Sequence, residues 1–156
     1  MYVGRFHRTA NGQIRLRLPP HERGILRELA RTTRAQIADT ADDPALRRLF
    51  PPAYDDPELD REYQQLTRAQ LTTGRERALD LLQETVDRDV LSPQEADAWL
   101  RALNDARLVL GTRLDVTEDF DWDALDPSEP RAPDFALYAY VSWIQEQLVE
   151  TATLDA

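Results

Sequence analysis

Few side chains in this chain can make or break a covalent bond. The histidines are His7 and His21, the serines Ser92, Ser128 and Ser142, and there is no cysteine. Nucleophilic catalysis needs a hydroxyl or thiol within hydrogen-bond reach of a base. None of the three serines lies in a G-x-S-x-G turn, and both histidines belong to the N-terminal stretch. The glycines, at 4, 12, 24, 74 and 111, are too scattered to form a phosphate-cradling loop. Without thiols, thiolate metal sites and thiol–disulfide exchange are impossible within this chain. The run Asp119-Phe120-Asp121-Trp122-Asp123 opens like a calcium loop, but Ala124 holds its sixth position and Pro130 its twelfth. A calcium loop needs glycine and a bidentate glutamate there, which leaves weak divalent binding at most. The expectation is a non-enzymatic chain with no catalytic residue, no metal centre and no cofactor.

Binding chemistry is better represented. Arg23, Arg27, Arg31 and Arg34 recur at spacings of four, four and three, so on a helix they form a cationic strip about 80° wide. Two readings fit: a solvated face with internal ion pairs, or a site for an anionic partner, protein or nucleic acid. Phe120 and Trp122 sit among seven acids and no base between Asp115 and Pro130. Such aromatics either pin the loop to the core or form a short linear contact segment. Tyr140 and Trp143 lie off the main apolar stripe of the last helical stretch and are expected to bury against a second chain or partner. Arg107 falls inside the apolar arc of its helix with Asn104 at the flank. It requires a carboxylate partner, expected from residues 115–123 or from Glu76 or Asp80, or else it must snorkel to the helix edge; a site for an anionic ligand or a partner's side chain is the alternative to a structural pair.

The elements that position these residues can be read in order. Residues 2–18 predict a β-hairpin, with Ile14, Leu16 and Leu18 alternating with Arg15 and Arg17, and Asn11-Gly12 at the turn. Pro19-Pro20 opens a helix to about residue 39, with Ile25, Leu26, Leu29, Ala30, Thr33 and Ile37 as its core stripe. A short helix follows from Asp42-Asp43-Pro44 to Leu49-Phe50. A longer helical region then runs from Pro57 to about Asp89. Its stripe Leu59, Tyr63, Leu66 is offset by about 120–150° from Ala78, Leu79, Leu82 and Val86, which predicts a break or kink near Thr72-Thr73-Gly74. Ser92 and Glu95 form a capping box for a central helix ending near Leu114, with Pro93 at its first position. Ala96, Trp99, Leu100, Leu103, Leu110 and Leu114 define its expected buried arc. Residues 115–133 read as an acidic loop and about 134–150 as a helix apolar on nearly all sides, with Leu137, Val141, Ile144 and Leu148 as its main stripe. The sum is a mainly α single domain, residues 1–156, with about five helices and a hairpin laid against them.

Three of these segments in combination carry a resemblance. The run AWLRALNDARLVLGTRL (98–114), the hairpin pattern FHR…G-x-I-x-L-x-L (6–18) and the aromatic C-terminal helix resemble a small actinobacterial family, long described as a domain of unknown function. Its members are oxidative-stress transcriptional regulators of the AosR type. The resemblance implies a regulator that contacts the transcription machinery through a sigma factor or RNA polymerase, with redox sensing by paired cysteines. This chain departs from the last point, having no cysteine to pair.

Charge limits the partners. The net charge is −10. Residues 1–48 hold ten arginines against five acids, +5, and the remainder holds nine against twenty-four, −15. A surplus of negative charge disfavours nonspecific DNA binding, which depends on neutralising phosphates. The 23–34 ridge leaves a direct DNA-binding regulator as one rival, and a structural or adaptor homodimer through the C-terminal helix is another. With no long apolar run and no apolar leader, no membrane association is expected and the cytoplasm is the expected compartment.

Overall fold

The hairpin turns where Asn11-Gly12 allows it: Gly12 takes φ +83°, a conformation that costs glycine nothing. The computed structural model describes residues 4–39, 49 and 51–153. Strands β1 (Phe6–Arg8) and β2 (Ile14–Leu16) pair antiparallel with Phe6 opposite Leu16. Phe6, Ile14, Leu16 and Leu18 point into the core. A third strand, β3 (Val90–Leu91), adds to the other edge of β2, with Ile14 opposite Leu91. Two residues are too few to display an alternating period, so the sequence read them only as a lead into Ser92.

Helix α1 (Pro20–Asp39) follows directly. Leu26, Leu29, Ala30, Thr33 and Ile37 are buried, but Ile25, expected among them, is 39% exposed. The short helix expected at 42–50 lies outside the described residues apart from Leu49, which is buried. Helix α2 (Pro57–Thr85) is capped by Asp56, whose carboxylate accepts the Glu58 amide at 2.9 Å. It runs unbroken through Gly74, so of the break or kink expected there the break is absent. The apolar stripe changes side because only the second half of the helix faces the core. Ala78, Leu79, Leu82 and Val86 are buried, whereas no described side chain between 57 and 77 is.

Helix α3 (Pro93–Arg113) has the full capping box: the Glu95 amide donates to Ser92 Oγ at 3.1 Å, and the Ser92 amide donates to Glu95 Oε1 at 2.8 Å. It ends with Asp115 at φ +55° and the Val116 amide bonded back to the Gly111 carbonyl at 2.9 Å, a Schellman closure made without glycine. The buried face of α3 is Ala96, Trp99, Ala102, Leu103, Asp105, Ala106, Val109 and Gly111. Its centre lies roughly 60° round from the expected arc. The alanines decide this. Helix α3 is packed by α1, α2 and α4 at once, and small side chains let three neighbours approach.

Trp99 is fully buried at the middle of the core. Its indole N–H donates to Thr85 Oγ1 at 2.7 Å, and Phe6 meets its ring edge-on at 6.3 Å. Helix α4 (Ala132–Thr153) buries Phe135, Val141, Ile144 and Leu148 and packs on α3 and β1. Between α3 and α4 the loop makes a 3-10 turn at Trp122–Ala124. No helix among the described residues is long and apolar enough to cross a membrane.

Candidate functional site: the groove between α1 and α4

Helices α1 and α4 both rest against the body of the fold but scarcely touch each other. Between them opens a groove of about 1030 Å³. Ile25 and Leu29 line it from α1, and Ala136, Leu137 and Trp143 from α4. A polar bridge spans its floor. Glu22, only 5% exposed, accepts Arg5 Nε at 3.1 and 3.0 Å, and the Arg5 Nη2–Glu22 Oε2 distance is 2.9 Å. The Tyr140 hydroxyl donates to the same carboxylate at 2.8 Å. Burial opposes the charge on Glu22, but the Arg5 and Tyr140 hydrogen bonds, with the charges of Arg5 and His21, prevail and lower its pKa. Burial and the neighbouring Glu22 push the Tyr140 phenol far upward, so it stays a donor. The Arg5 guanidinium also lies over the Trp143 ring, 5.3 Å from its centroid. A bidentate carboxylate–arginine pair topped by a phenol is a fixed strut, and the apolar walls beside it form a receptacle.

Tyr140 and Trp143 thus lie where the sequence put them, off the main stripe of α4, and the partners the structure gives them are intramolecular. Glu22 was not singled out from sequence. The signal was present: Glu22, Leu26, Leu29, Thr33 and Ile37 recur at i, i+4, i+7, i+11 and i+15, which puts the glutamate on the buried stripe.

Arg23, Arg27 and Arg34 of the arginine ridge reach toward α2, whereas Arg31 pairs with Glu28 at the groove's edge. Arg23 donates from Nε to the Leu18 carbonyl at 2.9 Å and from Nη1 to the Val86 and Arg88 carbonyls at 2.6 and 2.9 Å, closing the C-terminal end of α2. Arg27 pairs with Asp87, Arg31 with Glu28, and Arg34 with Glu76 and Asp80 at 3.1 and 2.6 Å. Three of the four pair with acids, more than a free anion site would show.

Phe120 and Trp122 meet the start of α4 instead of solvent alone. Phe120 stacks on Phe135 at 5.1 Å, and Trp122 stacks on Tyr138 at 5.8 Å while remaining 41% exposed. Phe120, Phe135 and Tyr138 make a small second core with Leu114, Val116 and Leu125. Gly111 permits it: a Cβ there would lie 3.0 Å from the Tyr138 ring. The acidic loop gathers no set of side chains able to hold a metal ion among the described residues.

The carboxylate expected for Arg107 is not there. Its Nη2 lies 3.4 Å from Asn104 Oδ1, its buried Nε has no partner, and no acid among the described residues pairs with it. Asn104 also receives Gln145 Nε2 at 3.4 Å and so ties α3 to α4. The buried carboxylate is two residues earlier: Asp105, 2% exposed, is paired with Arg75 of α2. Arg75 reaches on to the Leu49 carbonyl at 2.9 Å. Desolvation raises the Asp105 pKa, and Arg75 offsets only part of that. Rotation of the buried face by about 60° moved Arg107 to the edge and brought Asp105 inside.

With this geometry in view, the comparisons place the chain. Residues 3–152 match a family described as a domain of unknown function (DUF2017), and the chain belongs to that family. It is 27% identical to the putative oxidative stress regulator AosR of Mycobacterium leprae, over 90% of this chain and 83% of that protein. It is 30% identical to the oxidative stress regulators AosR of Mycobacterium bovis and Mycobacterium tuberculosis, over 69% of this chain. The match spans 57% of those two proteins, little more than half their length. No solved structure matches the chain. Membership in this family agrees with the resemblance carried by the hairpin, the central helix and the aromatic last helix.

Proposed function

We propose that this chain is a non-enzymatic regulator of the oxidative-stress response. It acts through contacts with polypeptides of the transcription machinery, a sigma factor or RNA polymerase, and needs no thiol switch of its own. The regulatory part is supported by the relatives' names, and the transcriptional part by the family resemblance. One observation carries the mode of action: an apolar groove between two helices, walled by Ile25, Leu29, Leu137 and Trp143 and held by the Arg5–Glu22–Tyr140 strut. Such grooves accept the apolar face of a partner helix. The rival reading, direct DNA binding through Arg23–Arg34, would have to break the ion pairs that already occupy the ridge.

The test is binding of the purified chain to purified sigma factors and to core polymerase from the same organism. Wild type should bind one of them, and Ile25→Glu/Ala136→Glu, which changes two exposed groove positions, should lose that binding while keeping its helicity. Failure to bind any of them would sink the transcriptional reading. Binding to DNA that falls steeply with salt and is lost on replacing the ridge arginines would replace it with the rival.

A further inference from the structure

The first half of α2 has little to hold it. From Pro57 to Arg77, about 31 Å of helix, no described side chain is buried. Helices in proteins owe most of their stability to packing of an apolar face. Among the described residues the contacts of its first turns are few: the Tyr54 ring meets Tyr63 at 5.8 Å, the Ala53 amide donates to Asp60, and Gln64 donates to the Pro51 carbonyl, whereas the ion pairs of Arg75 and Glu76 come only near residue 77. Yet this half carries an apolar stripe. Leu59, Tyr63 and Leu66 fall at i, i+4 and i+7, with Leu59 49% and Leu66 80% exposed. Because α2 is unbroken, the stripe points about 120–150° away from the face that Ala78, Leu79 and Leu82 bury in the core.

The charges beside the stripe are of one sign. At about 100° per residue, Glu58 and Glu62 flank it on one side and Asp60 on the other, while Arg61 and Arg68 fall on the far side of the helix. We propose that the first half of α2 is a docking surface for a basic amphipathic helix of another polypeptide. That partner lays apolar anchors on Leu59, Tyr63 and Leu66 and brings lysines or arginines to Glu58, Asp60 and Glu62. A second copy of this chain is a poor occupant. Paired parallel or antiparallel, two such faces set acidic flank against acidic flank, and like charges at these positions exclude a pairing. The surface is separate from the α1/α4 groove and stands whether or not the transcriptional role does.

The test uses the full chain and two labelled helical peptides of about twenty residues, one with leucine–lysine patterning and one with leucine–glutamate patterning. Anisotropy should show the lysine peptide binding and the glutamate peptide not. Leu59→Gln/Leu66→Gln, both exposed positions, should weaken the lysine peptide at least about tenfold without loss of helicity. Glu58→Lys/Glu62→Lys should switch preference to the glutamate peptide. Asp119→Lys/Asp123→Lys, an equal charge change elsewhere, should leave affinity within about twofold, and the groove variant Ile25→Glu/Ala136→Glu should bind no more weakly than wild type. Equal weakening by the 119/123 variant would reduce the effect to bulk charge, and indifference to the leucine pair would remove the apolar stripe from the interface. Either overturns the proposal. So does a concentration-dependent dimer that the leucine pair abolishes, which would give the surface to a second copy.

Discussion

Removing Arg75 should be among the most damaging single changes in this protein, and the cause is the carboxylate left behind. Among the described residues Asp105 is held by the Arg75 guanidinium on its Oδ1, and its buried Oδ2 accepts no hydrogen bond. In Arg75→Met the stem is kept and a 3%-exposed carboxylate side chain loses its counter-charge. Losing one partner of a buried pair costs about 3–5 kcal/mol, and the quarter exposure of Arg75 places this case toward the lower end. Against a typical total of about 5–15 kcal/mol, that threatens folding. The pH dependence has a definite sign. Asp105 already titrates above the ordinary 3.8, so the native state holds its proton at pH values where the unfolded chain has released it. This site therefore contributes stability that fades as pH rises from 3.8 through the raised value. Without Arg75 the pKa rises further, and the defect of the variant should shrink on acidification. Urea denaturation followed by circular dichroism measures this at neutral and mildly acidic pH. Asp105→Asn combined with Arg75→Met should recover at least half the loss, giving a coupling energy above about 1 kcal/mol. A loss below about 1 kcal/mol at neutral pH, with no rescue, would mean the pair behaves as a surface ion pair and the burial argument is wrong.

Other consequences can be checked alongside. Glu22→Gln should flatten the acid limb of the stability profile. The depressed pKa of Glu22 gives stability that is present above about 4.5 and lost as pH falls through the folded value, as acid denaturation will show. Gly111→Ala should lower Tm although alanine is the better helix former, because its Cβ meets the Tyr138 ring at 3.0 Å; overpacking of about 1–3 kcal/mol outweighs a propensity gain of about 1. A Tm that rises would show that Tyr138 moves aside freely. Arg23→Gln should cost about 1–3 kcal/mol through its carbonyl contacts at the end of α2, while Arg31→Gln should leave Tm unchanged within error.

What could be read from the sequence is what local rules control. The Asn11-Gly12 turn, the Pro20 start of α1, the Ser92/Glu95 box and three of the four stripe residues of the last helix (Val141, Ile144 and Leu148) follow from φ preferences, caps and periodicity, and the structure agrees, while Leu137 is only partly buried and Phe135 is buried. What failed depends on which neighbours a helix has. Periodicity in α3 gave an arc centred on its large residues, whereas three packed neighbours select the alanine-rich side, so Arg107 was taken for the buried charge in place of Asp105. In α2, two offset stripes were read as a break or kink in one helical region, on the assumption that every apolar stripe faces the core. The groove was invisible for a related reason: Ile25 fits the α1 stripe, and only the divergence of α4 leaves it open.

The three tryptophans occupy three different regions of the molecule. Trp99 sits sealed in the core with its N–H on Thr85, Trp122 stacks half-open on Tyr138 in the acidic loop, and Trp143 lies under the Arg5 cation beside the groove. Their intrinsic emission is therefore spatially resolved without a label. Single Trp→Phe variants would assign a blue core component, a red loop component and a groove component quenched or shifted by whatever displaces Arg5. A ligand seated between α1 and α4 changes the light from Trp143. One seated on Leu59 and Leu66 leaves all three tryptophans silent, so the protein itself reports which of its two apolar surfaces has been taken.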